Sequence, residues 1–116
     1  MSQELTKQTE ATLTHHLQAF AEGDINAILS DYVEASILYT PDGPLRGLNQ
    51  IRGFFSGVLE NAPPGFMANF EMVRQDVEGE IAYIVWQSGS AVPLCTDTFI
   101  VRNGKIVVQT FAAHRT

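Results

Sequence analysis

The first apolar positions of the chain, Leu5, Leu13, Leu17 and Phe20, recur at helical spacing. Thr9 fills the gap in their stripe and Gly23 stops the run, which predicts a helix over residues 4–22. His16 lies three residues after Leu13 and four before Phe20, so it falls on the inward stripe. His15 points roughly 100° away, toward a more exposed flank. Asp24 has the character of an N-cap and predicts a second, short helix carrying Ile25, Ile28, Leu29 and Tyr32. A strand follows over residues 35–40, with Ile37 and Tyr39 on one face and Ser36, Leu38 and Thr40 on the other, ending in the turn Pro41-Asp42-Gly43-Pro44. After Gly47, the residues Leu48, Ile51, Phe54, Phe55, Val58 and Leu59 form the wide apolar face of a third helix. Gly53 and Gly57 weaken that helix by about 1 kcal/mol each relative to alanine, which predicts that another group approaches closely there. Asn61-Ala62-Pro63-Pro64-Gly65 ends it.

Beyond Phe66 the pattern changes to strands, predicted over residues 66–77, 81–88, 92–102 and 105–113 and separated by Glu78-Gly79-Glu80, by the Gly89-Ser90 region and by Asn103-Gly104. The last break is the strongest, because Asn-Gly between β-branched runs is a hairpin signal. Pro93 cannot donate to a ladder, so the third of these strands is expected to begin at or after it, or to be an edge there. Alternation puts Cys95, Asp97, Phe99 and Val101 on one face and Thr96, Thr98, Ile100 and Arg102 on the other. Asp97 thus stands in an apolar row, where a carboxylate must be hydrogen-bonded or hold its proton. In Ile81-Ala-Tyr-Ile-Val-Trp86 both faces are apolar, so both must be covered, one by the helices and the other by a partner subunit. Parity separates Trp86 from Tyr83 and Val85 without saying which set is inside.

The chain has 116 residues, enough for one domain over 1–116 that buries roughly two thirds of its unfolded surface. There is no long uncharged apolar run of the kind that spans a membrane, and the N-terminal residues lack the basic start and apolar centre of a signal peptide. Cys95 is the single cysteine, which excludes an intrachain disulfide and fits a reducing, cytoplasmic setting; it reads as a small core residue before a nucleophile. A formal charge of −6 with seven scattered Lys and Arg argues against nucleic acid as a partner. His15 and His16 face apart and His114 is remote, so no metal site is expected. Nor is there a glycine-rich phosphate loop, and no cofactor is expected.

Helices first and a meander of strands after them make an α+β fold in which a bent sheet wraps the helices around a pocket. The run His16-Leu-Gln-Ala-Phe-Ala-Glu-Gly-Asp24, the strand and turn ending Tyr39-Thr-Pro-Asp-Gly43, the helix Gly47-x3-Ile51-x2-Phe54-Phe55, and Asp97-Thr-Phe-x3-Asn-Gly-Lys-Ile106 together resemble the nuclear transport factor 2-like superfamily, in particular its SnoaL-like and ketosteroid-isomerase-like members. The resemblance covers nearly the whole chain in order and spacing. It implies a cystatin-like α+β barrel: a cone-shaped, curved antiparallel or mixed sheet around three helices, enclosing a cavity for a small apolar molecule, in a homodimer formed through the outer sheet face.

By the same resemblance Asp97 matches the isomerases' protonated aspartic acid, which donates to a developing enolate oxygen. His16 falls where they carry an oxyanion-hole tyrosine, and Phe55 on a pocket tyrosine. Thr40 occupies the place of their proton-shuttling aspartate and cannot act as that base. Tyr83 and Val85 are placed inside, with Trp86 at the dimer surface. The implied ligand-binding set is Phe20, Tyr39, Thr40, Phe54, Phe55, Val58, Tyr83, Phe99, Gln109 and Phe111, Gln109 sharing a face with Phe111. SnoaL-like cyclases imply a different division of labour, in which His16 and Asp97 are the catalytic pair. If the two come within hydrogen-bond reach, the carboxylate orients the imidazole and raises its pKa toward neutrality. Three functions stay open at this point: an isomerase or cyclase acting on an apolar carbonyl compound of steroid or polyketide type, a non-catalytic ligand-binding domain, and a dimerisation module whose cone is filled by side chains.

Overall fold

The computed structural model describes residues 2–114. Helix α1 spans Ser2–Glu22 and ends where Gly23 turns to φ +68°. Asp24 caps α2 (Ile25–Leu29) as expected, its side chain accepting from Ala27 N at 3.1 Å. Tyr32 does not close that helix. It opens β1 (Tyr32–Thr40), because pairing with the C-terminal strand at Ile106 and the hydrogen bond from Ile106 N to Asp31 O (2.7 Å) fix this stretch as sheet. The Pro41-Asp42 turn is shorter than expected, since Gly43–Arg46 returns as strand β2, an edge strand in which Pro44 lacks only a hydrogen bond that the edge does not require. Gly47 starts α3 (Gly47–Glu60) at φ +85°, a conformation that calls for glycine, whereas the Glu34 Oε1 that a Cβ there would meet at 2.6 Å ends a flexible side chain able to swing aside.

The predicted strand from residue 66 begins only at Phe70. Residues 63–69 instead coil through hydrogen bonds from Phe66 N to Pro63 O and from Asn69 N to Gly65 O, which swings the Phe66 ring inward. Strands β3 (Phe70–Glu78), β4 (Ile81–Ser88), β5 (Val92–Arg102) and β6 (Lys105–His114) then form a meander. Strand β5 starts one residue before Pro93. Asn103 (φ 52°) and Gly104 (φ 74°) both take the left-handed conformation that a two-residue β5–β6 hairpin demands.

The six strands make one curved, unclosed mixed sheet in the order β2-β1-β6-β5-β4-β3, and β1–β6 is its one parallel pair. Helix α1 lies against β3, β4 and β5, and α3 against β1 and β2, on the concave side. Leu13, Ile28, Leu38, Ile51, Ile84, Phe99 and Ile106 are almost wholly buried between them. The elements therefore form the α+β architecture expected from their order.

Register settles the parity of β4. Ile84 pairs with Asp97 and Trp86 with Cys95, and paired residues point to the same side, so Ala82, Ile84 and Trp86 face the helices. Trp86 is thus interior and Tyr83, 36% exposed, lies on the convex face, the reverse of the placement the family resemblance implied.

Candidate functional site

A cavity of about 480 Å³ lies between α1, α3 and the concave face of the sheet. Its walls are overwhelmingly apolar and aromatic, which concentrates attention on the few polar groups that interrupt them. Helix α1 contributes His16, Leu17 and Phe20. Helix α3 contributes Gly53, Phe54, Phe55, Gly57 and Val58 from a single stripe, and the following coil adds Ala62 and Phe66. The sheet contributes Trp86, Asp97, Phe99, Gln109 and Phe111.

Asp97 is 6% exposed and makes two hydrogen bonds. Trp86 Nε1 donates to Oδ1 at 3.0 Å and Gln109 Nε2 donates to Oδ2 at 2.8 Å. Gln109 is held in turn by Tyr32, whose hydroxyl donates to Oε1. The chain Tyr32–Gln109–Asp97–Trp86 thus fixes the carboxyl from both sides with side chains from β1, β6, β5 and β4. Burial pushes the Asp97 pKa up to about 6, against the opposing pull of the Trp86 and Gln109 hydrogen bonds. At neutral pH it is therefore mostly a carboxylate, and no other Asp or Glu is among the cavity-lining residues described.

His16 is 4% exposed and packed edge-on against the rings of Tyr32, Phe55 and Phe99 at centroid distances of 5.9, 5.7 and 5.5 Å. Its Nδ1 is sealed from water and has no hydrogen-bond partner. Burial, with a smaller contribution from His15, pushes its pKa down to about 4. The expected coupling with Asp97 is absent: both carboxyl oxygens are engaged by Trp86 and Gln109, and the imidazole moves away from neutrality because desolvation acts on it without a compensating carboxylate. It is His15 that pairs with a carboxylate, Nδ1 lying 2.8 Å from both oxygens of Asp31, away from the cavity.

Of the residues expected to bind ligand, Phe20, Phe54, Phe55, Val58, Phe99, Gln109 and Phe111 line the cavity. Three do not. Tyr39 is exposed on the convex face and Tyr83 likewise, while the Thr40 hydroxyl is used by its own turn, donating to Gly43 O at 2.9 Å and accepting from Asp42 N at 3.2 Å. The close approach expected at Gly53 and Gly57 is also absent, since a Cβ at either would meet nothing within 4 Å. Sequence reasoning missed Trp86 and Tyr32 as members of the polar network. The signal for Trp86 was present once Asp97 was read as inward-facing, but using it requires the β4–β5 register.

Comparison with known proteins agrees with the fold. The chain is similar to an NTF-2-like protein of unknown function from Burkholderia xenovorans LB400 (23% identity, covering 95% of this chain and 85% of that one, TM-score 0.75). It is also similar to an NTF2-like protein of unknown function from Mesorhizobium loti (21%, 94% and 93%, TM-score 0.77). A third similar structure is a candidate ketosteroid isomerase from Kribbella flavida DSM 17836 (14%, 96% and 81%, TM-score 0.74). At these identities the likeness is one of fold. No curated protein matches the chain. The family model for the SnoaL-like domain matches residues 13–109, most of the chain, and the protein therefore belongs to the SnoaL-like family of the NTF2-like fold.

Proposed function

We propose that this protein binds a small, neutral, apolar carbonyl compound and moves a proton on it, with Asp97 as the base and His16 as the donor to the carbonyl oxygen. The observation that carries the reading is the single carboxylate at the cavity wall, poised near pH 6 and clamped by Trp86 and Gln109. The indole N–H can only donate, so it favours the ionised form of Asp97 over a protonated one. The roles are thereby exchanged relative to the isomerases that the sequence resembles: the residue matching their protonated donor takes over the work for which Thr40 has no base.

His16 suits the second role because its low pKa keeps it neutral. A buried, partnerless N–H is rarer in proteins than a buried bare acceptor, so the favoured tautomer leaves Nδ1 unprotonated and carries the proton on Nε2. In the reaction Asp97 removes the proton from the carbon next to the carbonyl. The C–H pair becomes the enolate double bond, the carbonyl π pair moves to oxygen, and the imidazole N–H stabilises the oxyanion. Where a C=C bond adjoins that carbon, the enolate is a dienolate, and return of the proton from Asp97 to its far carbon gives isomerisation. Where the enolate carbon instead attacks a second carbonyl in the same molecule, the π pair of that carbonyl moves to its oxygen, which takes the proton from Asp97, and the product is cyclised.

The reading includes a homodimer through the convex face of the sheet. Across that face the rows Ile37–Val108–Ile100–Ile81 and Tyr39–Thr110–Thr98–Tyr83 run in register, with Ile81 53% exposed and tyrosines at both ends of the second row.

The test is incubation with a panel of neutral linear and cyclic ketones in D2O, followed by mass spectrometry. Deuterium incorporation next to the carbonyl above the buffer rate, lost in Asp97→Asn, is expected. Ketones that bind and never exchange would leave the non-catalytic ligand-binding alternative in its place.

A further inference from the structure

Two glycines on the cavity face of α3 have no structural reason to be glycine. Gly53 and Gly57 sit one turn apart within the helix, where each costs about 1 kcal/mol relative to alanine. Neither has a positive φ, so the backbone does not require them. Neither is crowded, since an added Cβ would meet nothing within 4 Å. Both line the cavity, on the same stripe as Phe54, Val58 and Asn61. Gly53 is exposed and Gly57 partly so, which puts this bare strip of backbone at the cavity's mouth, whereas His16, Phe99 and Gln109 are buried.

We infer that Gly53 and Gly57 keep a channel open along α3 for the tail of an elongated apolar ligand whose carbonyl head lies at His16 and Asp97. The head placement rests on the function proposed above, and the channel does not. A ligand is independently indicated by His16, a buried imidazole that lines the same cavity and makes no hydrogen bond within the protein, which leaves its Nε2 free for one. Phe54, beside the bare strip on α3, packs edge-on against Phe111 with ring centroids 5.6 Å apart, and both rings line the cavity. With no Lys or Arg among the described lining residues, the strip offers a tail no charge to meet, so the matching chemistry is an unbranched hydrocarbon chain with an uncharged end.

The experiment is displacement of the neutral fluorophore N-phenyl-1-naphthylamine by 2-alkanones of increasing length, from 2-hexanone to 2-dodecanone, on the wild-type protein and on Gly53→Leu and Gly57→Leu. In the wild type, affinity is expected to rise about threefold or more per methylene as the chain fills the channel. In the leucine variants the loss should grow with chain length, reaching tenfold or more for 2-dodecanone. A length-independent loss, or a wild-type affinity that does not respond to length, overturns the inference. Gly53→Ala and Gly57→Ala keep the fold question separate: both should raise Tm, and a fall would mean that the glycines serve packing and not a ligand. If the ketones bind with the expected length dependence yet none exchanges deuterium, the proton-transfer reading fails and the channel stands. Exchange without length dependence has the opposite meaning.

Discussion

Trp86 Nε1 donates to Asp97 Oδ1 at 3.0 Å, across neighbouring strands, in a position closed to bulk water. Because this bond favours the ionised carboxylate, it holds the Asp97 pKa below the value that burial alone would produce. Trp86→Phe removes the donor and should move the acid limb of the deuterium-exchange profile upward from about 6 by about one pH unit. The wild-type profile should show a single ascending limb there, because exchange needs Asp97 ionised and His16, titrating near 4, stays neutral throughout. A profile that does not move in Trp86→Phe would show that the indole does not tune the base.

The same carboxylate makes stability depend on pH in a known direction. Its folded pKa of about 6 lies above the ordinary value of 3.8, so its contribution is most favourable below 3.8 and is lost as pH rises through 6. The buried charge then costs about 2 kcal/mol at pH 8 relative to pH 4. Asp97→Asn, which cannot ionise, should have a Tm above wild type near pH 8, with the gain vanishing near pH 4. Thermal unfolding followed by circular dichroism at both pH values checks this.

His16 acts in the opposite sense. Its folded pKa of about 4 lies below the ordinary 6.5, so the stability that goes with its neutral form is present above 6.5 and is lost as pH falls toward 4. His16→Phe removes both the partnerless nitrogen and this acid sensitivity, and a phenyl ring can pack among Tyr32, Phe55 and Phe99. Urea unfolding should show a gain of about 1 kcal/mol at neutral pH that widens on acidification, while deuterium exchange into ketones falls at least tenfold.

On the convex face, Ile81→Glu or Tyr83→Glu puts a charge at the β4 end of the registered rows, at positions that are exposed in the single chain. Either should weaken self-association at least tenfold by light scattering and leave the far-UV spectrum unchanged. Wild-type protein that is monomeric at high concentration would remove the dimer from the proposal.

Much of the frame was legible because it rests on short-range chemistry. The helical stripe of α1, the Asp24 cap and the Asn103-Gly104 hairpin each depend on residues within a few positions of one another. What escaped depends on partners distant in sequence. Tyr32 reads as the end of a helix until β6 pairs with it, and Phe66 reads as strand until Pro63 and Gly65 bend the chain. Trp86 needed a register that the irregular pairing between Trp86 and Ser88 prevents one from counting off. For the site, Asp97 and His16 could be aimed at a common cavity by periodicity, but their separate hydrogen-bonding fates could not, since these are decided by Trp86 and Gln109. Tyr39 and Thr40 were expected in the cavity from the family resemblance, whereas alternation set them on opposite faces, and only the pairing of Leu38 with the buried Gln109 shows that Tyr39 looks outward.

The parallel pairing of β1 with β6 puts the final strand in the interior of the sheet, flanked by β1 on one side and β5 on the other. Without β6, therefore, β2-β1 and the β3–β5 meander would share no strand pairing, whatever their helices do. Gln109 sits on that joining strand, so the clamp on Asp97 exists only where the two half-sheets have become one.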